Sequence, residues 1–265
     1  MKVRRALDTL IATCATMCIL MPSVAHAANT TCANADFLFL NERASQVIGA
    51  SGNLYFKTNV TAGRSYAVMA WGPTQDTGDG GVSLGVDLFN DATCTTSIPG
   101  IDPSDYEPYL FGIVGHSADH DNVIPTSSGP MYIRVNNSIA APYTVHIVAV
   151  ETTLFSPWWF TGGTNQAYVE VRNNMSAATT VFLTAYKADG SVCGTSSPVV
   201  NGNGNVAILI NSLGTCADAL SGSAQIAFPG TPGGVVANIT TINVPQGTSF
   251  DSPFSPRMVW GGFSR

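Results

Sequence analysis

The densest set of groups able to hold a metal ion is His116-Ser-Ala-Asp-His-Asp121. Imidazoles and carboxylates together suit zinc, copper or nickel. A loop here would gather His116, His120 and Asp121. A second set is Asp76, Asp79, Asp87 and Asp91, in and after the turn-rich run Gln75-Asp-Thr-Gly-Asp-Gly-Gly81. It offers the hard oxygen ligands that calcium accepts, without the closing Glu of an EF-hand. The plainer reading of both sets is solvated turns, and no motif requires a cofactor. Tyr106 and Tyr109 stand among Asp102, Asp105 and Glu107, a patch able to meet a cationic or sugar partner. The strongest apolar cluster is Trp158-Trp159-Phe160. It is either buried between domains or an exposed platform that stacks on sugar rings or inserts into a partner surface.

Dedicated catalytic patterns are scarce. Beyond residue 27 the histidines are His116, His120 and His146, and none opens an HExxH helix. There is no P-loop. A Ser-His-Asp triad is assembled in space and leaves no spacing to read, so no catalytic residue is assigned. His146 falls in an alternating run and reads as structural.

The elements that would position these groups are those of an exported chain. Lys2, Arg4 and Arg5 precede an apolar stretch over 10–21, and Ala25-His26-Ala27 supplies small residues at a cleavage site. Residues 1–27 are expected to be a secretory signal, removed before Ala28. Of 11 Lys+Arg and 17 Asp+Glu in the 265 residues, 8 and 16 remain after cleavage, a net charge of about −8. That balance excludes a basic nucleic-acid binder. Charged residues make up 11% of the chain, well below the roughly 25% usual for soluble proteins. The exterior is therefore neutral and rich in hydrogen-bonding groups. No later apolar run reaches membrane-spanning length, so no transmembrane anchor is expected after processing. The expected location is secreted, periplasmic or on a bacterial cell surface.

Four cysteines then remain: Cys32, Cys94, Cys193 and Cys216. In an exported chain they read as two disulfides. Three pairings are possible, and sequence proximity favours Cys32–Cys94 with Cys193–Cys216. No CxxC starts a tetrahedral zinc site.

Period-two alternation dominates the rest. Met131, Ile133 and Val135 alternate with Tyr132, Arg134 and Asn136; Tyr143, Val145 and Ile147 alternate with Thr144, His146 and Val148. Such runs bury one face of a strand. A first group of strands is expected at 54–58, 64–71, 82–90, 131–136 and 142–150. A second is expected at 167–172, 180–187, 205–210, 222–228 and 235–244. Asp189-Gly190 is a hairpin turn, and 201–205 is another turn. The fold expected is all-β, two tandem β-sandwiches after a cleaved signal peptide. The domains would be 28–153 and 166–256, joined by an aromatic linker over 154–165 and followed by a tail, 257–265.

The first half resembles the bacterial pre-peptidase C-terminal domain, a small secreted β-sandwich. The likeness rests on Leu54-Tyr-Phe-Lys-Thr-Asn-Val-Thr-Ala-Gly-Arg-Ser-Tyr-Ala-Val68, Val86-Asp-Leu-Phe89, Pro130-Met-Tyr-Ile-Arg-Val135 and Tyr143-Thr-Val-His-Ile147. The acidic insertion over 98–122 departs from the compact form. The resemblance implies an accessory module of exported proteins that assists secretion, folding or attachment. The second half is similar to immunoglobulin-like modules of bacterial surface proteins.

These readings converge on a non-catalytic exported binding or adhesion protein that contacts extracellular glycan or protein surfaces. A structural subunit that associates with identical copies is the second reading. A secreted hydrolase with a scattered triad or a metal at His116 is the third.

Overall fold

A computed structural model describes residues 29–73, 84–98, 116–138 and 140–257. The first half contains β1 (Asp36–Phe37), β2 (Ala44–Ile48), β3 (Asn53–Val60), β4 (Tyr66–Pro73), β5 (Leu84–Phe89), β6 (His116–Val123), β7 (Gly129–Asn137) and β8 (Tyr143–Glu151). They form two four-stranded sheets, ordered β1-β3-β7-β5 and β2-β8-β4-β6. Alternation works as the sequence requires. In β7, Met131, Ile133 and Val135 are buried; in β8, Tyr143, Val145, Ile147 and Ala149 are buried. These residues meet Phe56, Tyr66 and Val68 between the sheets in one apolar core.

The second half contains β9 (Leu154–Phe160), β10 (Asn165–Asn173), β11 (Thr179–Thr180), β12 (Phe182–Lys187), β13 (Val192–Ser196), β14 (Val199–Val200), β15 (Asn205–Leu209), β16 (Ser221–Ala227), β17 (Val235–Asn243), β18 (Thr248–Pro253) and β19 (Ser255–Pro256). A five-stranded sheet, β13-β12-β16-β9-β19, faces a four-stranded one, β15-β10-β17-β18, and β11-β14 is a short ribbon. Trp159, Leu183, Ile226, Phe228, Val169 and Val171 fill the space between the two sheets. The protein is thus all-β, with two sandwiches in tandem.

Local chemistry explains the turns. The β12–β13 hairpin closes at Asp189-Gly190, where Gly190 has φ +84°. The Asp189 carboxylate accepts from the Ser191 backbone N–H at 2.9 Å and hydroxyl at 2.6 Å. Both disulfides pair neighbours in sequence, Cys32–Cys94 and Cys193–Cys216, with Cα atoms 5.9 and 4.9 Å apart. One staples each sandwich. In the chain-entropy account, loops of these lengths stabilise by roughly 4 and 3 kcal/mol.

Two expectations are corrected. Residues 154–160 are not a linker: they are β9, paired with β16 on one side and β19 on the other. Only Thr152 and Thr153 separate the last strand of the first sandwich from the first strand of the second. Residues 116–123, read as part of a loop, are the strand β6, paired with β4 from Tyr66↔Val123 to Pro73↔His116.

The junction is packed. Thr152 N–H donates to the Ser65 carbonyl and Ser65 N–H to the Thr153 hydroxyl, both at 2.8 Å. The Glu151 carboxylate is buried there, 3.3 Å from the Arg64 guanidinium. That guanidinium also lies 5.4 Å from the centre of the Phe155 ring on β9. Gln225 of β16 donates to the Gly63 carbonyl at 3.0 Å. The turn after β3 therefore bears on the outer face of the five-stranded sheet.

Burial raises the Glu151 pKa above its ordinary value, against the pull of Arg64 and Arg257. A carboxyl with a raised folded pKa stabilises the fold most in its neutral form. Its contribution is full below its unfolded pKa and is lost as pH rises through the folded value. Glu151→Gln should therefore flatten the profile: as pH rises above the ordinary carboxyl value of 4.5, the wild-type urea midpoint should fall relative to the variant's. Parallel profiles would refute this assignment.

Candidate functional site

The aromatic run 158–160 divides between core and surface, and a β-bulge decides the division. Gly222 pairs with Trp159 and Ala224 with Ser156, so Pro157 and Trp158 together stand opposite Ser223 alone. An extra residue in one strand shifts the phase of alternation beyond it. Ahead of the bulge, Leu154 and Ser156 face inward; beyond it, Trp159 does. Pro157, which has no N–H to give a ladder, sits where the ladder is interrupted.

Trp159 is completely buried, and its indole N–H donates to the Ser223 carbonyl at 2.9 Å. Gly222 makes room for it. A Cβ at Gly222 would lie 2.7 Å from Trp159 Cζ2 and 1.7 Å from the Tyr186 carbonyl oxygen. The expectation that Trp159 contacts a ligand is thereby corrected: it is a core residue.

Trp158 and Phe160 lie on the outer side. Trp158 is 42% exposed and stacks with Phe160, centroids 6.0 Å apart and planes 19° apart. It also stacks with Phe250 of β18 at 4.9 Å and 26°. Phe250 is 37% exposed and belongs to the opposite sheet. The two sheets come together here because β18 runs beside β9. Ser156 and Ser252 hydroxyls are 2.9 Å apart in the buried seam, and the chain then crosses at Phe254 to pair β19 with β9. Leu220, 69% exposed, precedes β16, and its carbonyl accepts the Thr161 N–H at 2.9 Å. The result is an exposed aromatic seam of Trp158, Phe160 and Phe250. Thr248 shares the face of β18 that carries Phe250, and Ser249 and Asp251 alternate to the other face.

The other expected site residues are accounted for where the structure describes them. Asp76, Asp79, Tyr106 and Tyr109 lie outside the described residues. Asp87 on β5 is engaged elsewhere: it accepts from Arg134 Nε at 2.9 Å and lies 2.9 Å from Arg134 Nη2. Asp91 organises its own turn, accepting from Thr93 N–H at 2.8 Å and Thr96 N–H at 2.7 Å. Hydrogen bonds from Thr93 and Thr96 hold its carboxyl well below the usual carboxylate range. His116, His120 and Asp121 belong to the strand β6 and not to a loop. Among the described residues, no group of three or more His, Cys, Asp or Glu is placed to hold a metal. His146 is bonded through Nδ1 to the Ser45 hydroxyl at 2.7 Å, beside the Trp71 ring.

One feature escapes a reading of the sequence. Phe250 lies some ninety positions from Trp158 in a polar stretch, and only the seam joins them. Gly81-Val-Ser-Leu-Gly85 has the form GxSxG. A nucleophile elbow leads from a strand into a helix, whereas here Leu84 begins the strand β5.

No protein-family model matches the chain, and no curated protein matches it. Solved structures do. The pre-peptidase C-terminal domain of a collagenase from Bacillus anthracis is 14% identical over 43% of this chain and 93% of that one, with a TM-score of 0.29. The extracellular region of zebrafish Gpr126/Adgrg6 is 12% identical over 84% of this chain and 31% of that one, at 0.25. A Bacteroides uniformis β-glucuronidase is 13% identical over 78% of this chain and 26% of that one, at 0.20. No helix among the described residues is long and apolar enough to cross a membrane.

The seam makes a paired expectation. Trp159→Ala should cost about 3–5 kcal/mol, as loss of a large core side chain does. Trp158→Ala, at the surface, should cost within about 1 kcal/mol. Urea unfolding of both variants checks this; equal losses would mean that the bulge does not separate the two rings.

Proposed function

We propose that this protein is a non-catalytic binding protein acting outside the cytoplasm, and that the Trp158–Phe160–Phe250 seam is its contact with glycan-bearing surfaces. The observation that carries this reading is the exposure of stacked aromatic rings on rigid strands. Large exposed apolar clusters on soluble domains mark interaction sites. Holding Trp158 between stacked neighbours on a strand lowers the conformational entropy lost when it is covered.

The surroundings favour an uncharged, hydroxyl-rich ligand. Thr248, on the same face of β18 as Phe250, provides a neutral hydroxyl, and the one charge of that strand, Asp251, alternates to the other face, where the Thr240 hydroxyl donates to it at 2.9 Å. No Lys or Arg belongs to β9 or β18, so the strands of the seam present nothing that selects phosphate or an anionic lipid headgroup. Aromatic faces paired with neutral hydroxyls suit the C–H faces and hydroxyl edges of pyranose rings. The reading requires no cofactor.

The two disulfides support an oxidising compartment, since thiols are kept reduced in the cytosol. Within this reading the first sandwich serves as an accessory module of the pre-peptidase C-terminal kind, and the packed junction makes it a rigid support for the seam.

Binding to a panel of immobilised polysaccharides tests the proposal, with Trp158→Ala, Phe250→Ala and the double variant beside wild type. Truncating a central aromatic contact costs about 1–2 kcal/mol or more, so each single variant should bind roughly 5–30-fold more weakly. Unchanged near-ultraviolet circular dichroism should accompany the loss. A double variant that binds like wild type would remove the seam from the interaction, and failure of wild type on every polysaccharide would remove the ligand class.

A further inference from the structure

We infer that two copies of this chain pair edge to edge through β15, joining their four-stranded sheets into one eight-stranded sheet. The starting point is how the sheet edges are defended. An edge strand presents unpaired N–H and C=O groups, and proteins blunt such edges with charge, proline, brevity or a covering segment. Most edges here are blunted. β1 has two residues, β5 is covered by the bonds Asn90 N–H to Thr96 O and Ile98 N–H to Leu88 O, and β6 carries Asp119 and Asp121. On β13, the Cys193 carbonyl is taken by Thr215 N–H at 2.8 Å. β18 carries Asp251 and Pro253, and β19 carries Pro256.

β2, Ala44-Ser-Gln-Val-Ile48, and β15, Asn205-Val-Ala-Ile-Leu209, lack every one of these devices. Among the described residues, β10 is the one strand paired with β15, and the hydrogen bond it receives from outside that ladder is Ser212 Oγ–H to the Leu209 carbonyl at 2.7 Å.

Side-chain pattern selects between the two edges. A two-fold pair of antiparallel strands brings residue i against residue j and j against i, so the strand must be self-complementary. Centred on Ala207, β15 satisfies this. Val206 meets Ile208 of the partner copy on the core side, and Ile208 meets its Val206. Exposed Ala207 faces its own counterpart on the outer side. The two cores then meet through apolar residues alone. β2 centred on its middle residue would oppose two copies of Gln46, a side chain already donating to Asp36 at 2.7 Å. Pairing β2 with β15 would set that same amide against Val206 and Ile208.

The joined sheet has a functional geometry. β18 is at the far edge from β15. Two copies thus carry their Phe250 residues on opposite rims, seven strand spacings of about 4.8 Å apart, or roughly 30 Å with twist. Two aromatic seams on one rigid sheet would bind a repeating polymer with avidity. A five-residue strand buries little area, so the dimer is expected to be weak and concentration-dependent.

Sedimentation velocity of the oxidised chain, from low to high micromolar concentration, tests the inference without reference to any ligand. Wild type should approach twice the protomer mass at the upper end. Ala207→Lys sets like charges directly opposite across the two-fold axis and should remain a monomer throughout. Ala207→Thr, which keeps strand propensity, should dimerise at least as readily as wild type, so the loss in Ala207→Lys is not one of folding. Val47→Lys, on the β2 edge, should leave the dimer intact. A wild type that stays monomeric, an Ala207→Lys chain that dimerises, an Ala207→Thr chain that does not, or a Val47→Lys chain that loses the dimer would each overturn the assignment.

Discussion

The bulge at Pro157–Trp158 is the constraint on which the surface of this protein depends. A strand alternates strictly, so three consecutive aromatic residues must divide between two faces. In a regular strand continuing the phase of Leu154 and Ser156, Trp158 and Phe160 would be inside and Trp159 outside. One extra residue reverses that. Trp159 then satisfies its N–H on the Ser223 carbonyl within the core, and Trp158 and Phe160 are delivered to the rim where β18 passes. The requirement reaches the facing strand: Gly222 has to be glycine because the indole and the Tyr186 carbonyl occupy the space of a side chain.

Much of the fold was legible because burial on one face writes a period of two. The alternation in 131–136 and 142–150 locates β7 and β8 to within one or two residues, and Asp189-Gly190 marks its hairpin. What was not legible follows from the same physics. β6 reads His-Ser-Ala-Asp-His-Asp-Asn-Val, an edge strand with little apolar periodicity to detect. β9 contains a proline and a phase shift, so it breaks the rule by which strands are recognised and reads as a linker. Cysteine pairing was legible, since the short separations of 62 and 23 residues keep each bridge within one sandwich. Residue type identified Trp158 and Phe160 as surface candidates and could not exclude Trp159. Phe250 was invisible, because its partnership with Trp158 is made by a strand crossing between sheets.

The junction adds a second constraint. Tandem sandwiches joined by a long linker move independently. Here two residues connect them, and the ends of the link are tied by backbone bonds to Ser65. Arg64 performs two tasks at once, pairing with buried Glu151 and lying over Phe155 on the first strand of the second sandwich. A buried ion pair is a poor source of net stability. Its value lies in geometry: with a donor fork on one side and a ring on the other, Arg64 sets the orientation in which the two sandwiches meet.

The four-stranded sheet of the second sandwich is therefore asymmetric across its width. At one rim, β18 is guarded against strand addition by Asp251 and Pro253, and the same rim carries the aromatic seam. At the other, β15 carries no guard. A seam that recognises a ligand through side chains gains nothing from an open backbone edge beside it, because unwanted strand pairing would compete for the same rim. An edge that recognises another copy through its backbone needs the reverse: small or apolar side chains and no charge. Separating the two on opposite rims lets one sheet support both kinds of contact without either obstructing the other. The chain's low charge fits this division, since recognition by ring faces, hydroxyls and main-chain groups has little use for ions.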